Sequence, residues 1–152
     1  NNRFGPKEPC SRAQIVTFLW RAAGSPQADA AAQFPDVSAS AWYAQAVRWA
    51  ASLGIVQGYG NDCFGPEDEI TREQLAVMLY RFAKAQGQDT TQGGMAVREY
   101  SDFEELSHYA GEAMAWAVNT GVLQGYQNRL MPRAVCDRAQ TLTLLYRTLA
   151  EK

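Results

Sequence analysis

"GIVQGYG" at residues 54–60 and "GVLQGYQ" at 121–127 are one heptapeptide written twice: glycine, two apolar residues, glutamine, glycine, tyrosine. Each follows a tryptophan-containing stretch of helical period. Each leads into a polar segment ending in "TREQ" (71–74) or "DRAQ" (137–140). Reuse of this kind marks an internal repeat, which has to be settled before any single residue is read.

Sliding the chain against itself extends the match. A shift of 60 lays "FGP" (4–6) on "FGP" (64–66), "SRAQ" (11–14) on "TREQ", and Leu19-Trp20-Arg21 on Leu79-Tyr80-Arg81. A shift of 66 lays Pro66 on Pro132, Arg72 on Arg138, Gln74 on Gln140 and Leu79-Tyr80-Arg81 on Leu145-Tyr146-Arg147. The heptapeptide itself aligns at 67, so the following loop has lost one residue in the later copy. Three copies result: a truncated first over 1–26, a second over 34–86 and a third over 100–152. The linkers between them, 27–33 and 87–99, are polar, rich in Gly or Ala and without apolar period.

Within a copy the pattern predicts helix, long loop, helix. Trp42, Ala46, Trp49, Ala50 and Leu53 recur at helical spacing, and Gly54 stands where a helix-terminating glycine belongs. Thr71 with Gln74 three residues on reads as a capping box opening the second helix; Ser11 with Gln14 repeats it, and Asp137 with Gln140 is a variant with an aspartate cap. That helix presents Leu75, Met78, Leu79 and Phe82 on one face. One helix pair of this size cannot bury its apolar face alone, so the copies pack together in an all-α assembly.

Bulk properties exclude some functions. The chain has 152 residues, 47% hydrophobic and 20% charged, with net charge −2. A basic footprint for nucleic acid is absent. No apolar run is long enough to insert in a membrane. The chain opens abruptly at "NNRFGPKEPC" and reads as an excised fragment. The three cysteines (Cys10, Cys63, Cys136) have no metal-binding C-x-x-C spacing. Cys10 and Cys136 occupy the position of Ile70, which predicts buried thiols behaving as small hydrophobes. The single histidine, His108 in "LSHYAG", matches the tryptophan position of its copy rather than a catalytic base. An EF-hand reading from Asp62 fails, because Phe64 and Pro66 fall where oxygen ligands belong. No catalytic group and no cofactor site emerges.

Three arginines do not follow from folding. Arg12, Arg72 and Arg138 sit just after a helix cap, where the macrodipole disfavours a cation by about 0.3–1 kcal/mol. Arg21, Arg81 and Arg147 lie near helix C-termini, where the dipole accounts for them. A cation thrice placed beside N-terminal N–H groups is suited to grip an anion. The neighbouring loops supply Gly54, Gly58, Tyr59 and Gly60 in one copy and Gly121, Gly125 and Tyr126 in another: backbone amides, an aromatic face and an arginine, a set that suits an acidic sugar.

The order "FPDV", Trp42, "GIVQGYGNDCFGP", "ITREQ" resembles the S-layer homology (SLH) repeat, which begins F-x-D, ends its first helix in G-I-x-x-G, continues to F-x-P and opens its second helix with a T-R-A-E-type motif. The resemblance covers the whole chain in three copies. It implies a three-lobed pseudo-trimer holding an exported or S-layer protein non-covalently on an acidic, pyruvylated secondary cell-wall polysaccharide, outside the cell. It assigns binding roles to the motif arginines and loop glycines, and adds Asp36, Asp102 and Trp42. The motif glutamate is Gln14, Gln74 and Gln140 here, and "NRLMPRAVC" replaces "DCFGPEDEI" in the third copy. Because the first copy lacks its leading helix and loop, the central packing is expected to be incomplete or filled by another segment or another chain. The competing class is a helical protein–protein interaction module of a surface protein.

Overall fold

The computed structural model describes residues 7–28, 34–57, 63–91 and 94–150. These residues form five α-helices: α1 (Arg12–Ala22), α2 (Ala44–Ser52), α3 (Arg72–Ala85), α4 (Gly111–Asn119) and α5 (Arg138–Ala150). Three short 3-10 turns lie at Ala96–Glu99, Phe103–Glu105 and His108–Ala110. Extended pairing among the described residues is limited to isolated antiparallel bridges, so the fold is all-α.

The helix ends follow the sequence closely. Ser11 and Thr71 each accept from the N–H three residues on, while Gln14 and Gln74 accept from the cap's own N–H. Asp137 and Gln140 make the same reciprocal pair, at 2.7 and 3.0 Å. At the other end of α2, Gly54 takes φ +73° and donates to Ala51 O, while the next N–H reaches Ala50 O. Gly121 repeats this after α4 at φ +81°. Only glycine holds such a turn without a Cβ penalty. The periodicity of the first helix runs too far in both directions, however. α2 begins at Ala44, leaving Trp42 outside it and 64% exposed, and Leu53 is also exposed.

The chain divides into two compact units, Cys10–Glu69 and Ile70–Lys152 with Asn1–Pro9. In the first, α1 packs on α2. In the second, α3 packs on α4 and α5. The α1–α2 and α3–α4 pairs therefore join the second helix of one copy to the first helix of the next.

The reason lies in backbone accounting. A helix leaves its first N–H groups without intrahelical partners. In α1 the N3 donor goes to Ser11, but Arg12 N–H goes to Asp68 O and Ala13 N–H to Pro66 O, at 2.9 and 3.0 Å. In α3, Arg72 and Glu73 N–H reach Ala134 O and Pro132 O, both at 2.9 Å. Each helix start is thus closed by the loop of the following copy, with the bridges Ser11–Glu69 and Thr71–Val135 beside it. At α5 the chain's own early segment takes that place: Arg138 N–H donates to Glu8 O at 3.0 Å, and Asp137 bridges Pro9.

The heptapeptide that occurs twice is accounted for by these contacts. Its glycine ends the first helix, and its two apolar residues fill the core: Ile55 and Val56 in one unit, Val122 and Leu123 in the other. Gly125 is needed for another reason. A Cβ there would lie 2.1 Å from the Tyr100 ring and 2.9 Å from Arg129 O. Leu75, Met78, Leu79 and Phe82 are buried as their spacing predicts, and so are Cys10, Ile70 and Cys136.

Two outcomes are expected. Gly125→Ala should cost about 1–3 kcal/mol, the usual range for overpacking, because the backbone oxygen cannot swing aside as the ring can; urea unfolding measures it. In the native protein Cys63, which is partly exposed, should react with a thiol reagent well before Cys10 and Cys136. Equal rates would contradict the burial.

Candidate functional site

The two arginine–loop assemblies have one design. In the Cys10–Glu69 unit, Arg12 Nε donates to Phe64 O at 2.8 Å and Nη2 to Gln57 O at 3.4 Å. On the other side of the same peptide segment, Asp36 accepts from Phe64 N–H at 2.9 Å and Gly65 N–H at 2.8 Å. The Phe64 ring is fully buried, lies 5.6 Å from Phe34 and carries the Arg12 guanidinium 4.8 Å above its centroid. In the other unit, Arg72 Nε donates to Leu130 O at 2.8 Å and Nη2 to Gln124 O at 3.2 Å. Asp102 accepts from Leu130 and Met131 N–H at 2.7 and 2.8 Å.

One loop residue is therefore held by a carboxylate at its N–H and a guanidinium at its C=O, in both units. Each loop is gripped by an arginine that opens an earlier helix: Arg12 of α1 serves the loop after Gly54, and Arg72 of α3 the loop after Gly121. Arg12 and Arg72 are nearly buried, at 6% and 7% exposure, and the two N–H groups of α1 and α3 beside them are occupied. An anion gripped by those amides, as the dipole argument suggested, finds them already bonded. The cation at a positive helix end is compensated instead by the loop carbonyls it meets. Arg138 differs. Its Nη1 lies 3.2 Å from Glu8 in an ion pair, and its buried Nε has no hydrogen-bond partner among the described residues.

The carboxylates respond to this setting. Desolvation works to raise both, but the backbone hydrogen bonds outweigh it, with help from Arg12 at Asp36 and Arg129 at Asp102. Both stand below the usual aspartate value. Asp102 is buried, whereas Asp36 is exposed.

The remaining candidates separate into two groups. Trp42 and Tyr126 are exposed, at 64% and 62%, with Trp42 edge-on to Tyr43 at 5.0 Å. Gly54, Gly121 and Gly125 have backbone reasons to be glycine. Gly58, Tyr59 and Gly60 lie outside the described residues. In the third copy the position of Trp42 falls to His108 and Tyr109. The Tyr109 hydroxyl donates to the buried Glu73, which also accepts from the Ser107 N–H and hydroxyl. Burial and the Glu73 charge push the Tyr109 phenol up. Glu73 has alanine at the matching positions 13 and 139, so comparing copies conceals its role.

Sequence reasoning missed the acceptors, since Gln57, Phe64, Gln124 and Leu130 contribute carbonyls that side-chain identity does not reveal. It also missed a cleft of about 640 Å³ between α3 and α4, bordered by the first 3-10 turn, in a segment read only as a linker.

Tandem helix–loop–helix copies, each loop clamped onto the preceding copy's helix start, define a class of repeat module. The S-layer homology domain model matches residues 33–76 and 99–142, more than half of the chain. The chain belongs to the S-layer homology domain family. It is 25% identical over 147 residues to an amylopullulanase of Thermoanaerobacterium thermosulfurigenes, covering 96% of this chain and 8% of that protein. It is 26% identical over 151 residues to a cellulosome-anchoring protein of Acetivibrio thermocellus, covering 96% of this chain and 33% of that protein. Among solved structures, an undecaheme cytochrome from the S-layer of Carboxydothermus ferrireducens matches with a TM-score of 0.54 and 19% identity, over 97% of this chain and 18% of that one. That likeness is one of fold.

Asp102→Asn should lose about 1.5–3 kcal/mol at neutral pH, the range for hydrogen bonds to a charged group. A lowered native pKa means the contribution is full above the unfolded aspartate value near 4 and is lost as pH falls through the lower native one. Urea unfolding at pH 7 and pH 3 should therefore show parent and variant converging in acid. A gap that persists unchanged at pH 3 would contradict the ionised clamp.

Proposed function

We propose that this chain is a cell-surface anchoring module that attaches an exported protein non-covalently to an acidic, pyruvylated secondary cell-wall polysaccharide. The observation that carries the reading is the S-layer homology match over both complete copies, with the clamped loops as its physical counterpart. The anchoring role named for the Acetivibrio relative agrees with it. The chain spans a small part of the relatives it matches, 8% of the amylopullulanase and 33% of the cellulosome-anchoring protein. The module itself binds and does not catalyse.

In this reading the chain carries three copies, the first contributing α1 and its capping box alone. Arg12 and Arg72 act through the loops. Arg72 fixes the main chain so that the Gly121–Gly125 segment and Tyr126 meet the sugar with little conformational entropy left to lose; Tyr59 is the matching contact in the other copy. Trp42 offers an exposed aromatic face to a sugar ring. Asp36 and Asp102 complete the clamp, and Gly54, Gly58, Gly60, Gly121 and Gly125 keep backbone near the glycan. Arg138 is paired with Glu8 rather than with a loop carbonyl among the described residues, so it contributes less to binding than Arg72. The early segment against α5 is also where a second chain could add an element.

The test is a pull-down with protein-free sacculi, with polymer intact, stripped of polymer, or depyruvylated. Binding should require the polymer and weaken on depyruvylation. Arg72→Lys keeps the charge but not the two-carbonyl geometry, so it should lower wall affinity by roughly 10-fold or more, as loss of a charge-assisted hydrogen bond does. Trp42→Ala should lower affinity with unchanged melting temperature. Equal capture by stripped sacculi would end the glycan reading and favour a protein partner.

A further inference from the structure

We infer that the cleft between α3 and α4 is a further binding site, for a carboxylate-bearing sugar unit, with Arg81 and Arg98 as its charge partners. The inference rests on the wall-glycan reading and adds a site that the arginine–loop clamps do not contain. The cleft has a volume of about 640 Å³, within the size range of small-ligand sites. Its walls bring together Tyr80 and Arg81 from α3, Arg98 and Phe103 from the 3-10 turns, and His108 and Tyr109 ahead of α4.

The charge balance points to an anion. Two guanidinium groups and a histidine face one carboxylate, Glu112, in a chain whose net charge is −2. What separates these arginines from the motif pair is that their donors are unspent. Arg12 and Arg72 give Nε and Nη2 to loop carbonyls. Arg147, which matches Arg81 in the third copy, reaches Val122 O at 3.4 Å. The side chains of Arg81 and Arg98 make no hydrogen bond or ion pair among the described residues, and Glu112 pairs with neither. Arg98 lies 5.9 Å over the Phe103 ring, which orients its fork without using its donors. A planar guanidinium with open N–H groups suits a carboxylate held two-pronged.

The aromatic residues point to a sugar. Tyr109 is 57% exposed at the mouth, and its hydroxyl is anchored to Glu73, so the ring is a fixed platform rather than a swinging one. Tyr80 is held edge-on to the buried Trp116 at 5.7 Å. Fixed aromatic faces beside two cations match a ring with one apolar face and an acidic substituent. Dipole logic explains Arg81 as a helix-end cation, and that explanation concealed its place in the cleft.

The test uses the whole chain and a pyruvylated wall disaccharide, with the same disaccharide lacking pyruvate as reference. Amide chemical-shift changes should cluster at residues 80, 81, 98, 108, 109 and 112. Arg81→Gln/Arg98→Gln should lower affinity about 100-fold by calorimetry, two charge-assisted hydrogen bonds at roughly 10-fold each, with an unchanged circular dichroism spectrum. The variant should bind the pyruvate-free disaccharide as the parent does. Affinity within twofold of the parent, with shifts confined to the loop around Tyr126, overturns the cleft while wall binding stands. If the parent captures neither disaccharide nor intact sacculi, the wall-glycan reading fails and the cleft falls with it.

Discussion

A single loop residue whose backbone is held from both sides organises each unit. Phe64 and Leu130 give their N–H to a carboxylate and their C=O to a guanidinium. Backbone polar groups taken from water need partners, and a long loop has none in regular structure. The clamp supplies them with charged groups at both ends. It also puts the loop's outgoing strand over the first turn of a neighbouring helix, whose N–H groups close onto it. Loop order, helix start and the joining of successive copies are thereby one problem with one solution.

This solution recasts two of the three arginines, Arg12 and Arg72. A cation after the N-cap is unfavourable in an isolated helix, yet the carbonyl oxygens aimed at Arg12 and Arg72 reverse the local field. Asp36 and Asp102 keep the segment near neutral. Removing one partner would leave the other charge without compensation, the costly case for buried ions. That is ample reason for Arg72 to be arginine before any ligand is considered.

Local order was legible and pairing was not. The capping boxes, the glycine helix stops and the buried face of α3 depend on residues within a few positions of one another, which pattern reading captures. Comparing copies by offset shows which residues are equivalent, such as Arg12 with Arg72. It does not show which residues touch, and Arg12 touches Phe64 of the next copy. The glycine at 125 was read for ligand approach, whereas the Tyr100 ring occupies the space its side chain would need. Backbone acceptors have no signature, since any residue carries the same carbonyl. Glu73 occurs in one copy only, and Arg98 lies in a segment outside the aligned copies, so a method that looks for repetition passes over them.

The crossing of copy boundaries also sets an order on synthesis. A ribosome delivers α1 well before the loop that completes it, because the partners Arg12 and Phe64 are 52 residues apart; for Arg72 and Leu130 the wait is 58. The starts of α1 and α3 stay open until the loop that follows has emerged, whereas the start of α5 meets a segment already made. A truncation before either loop leaves Arg12 or Arg72 without its carbonyl partners. Recombination that adds or removes a copy preserves the clamps only when it keeps the register between a motif arginine and the loop that follows it.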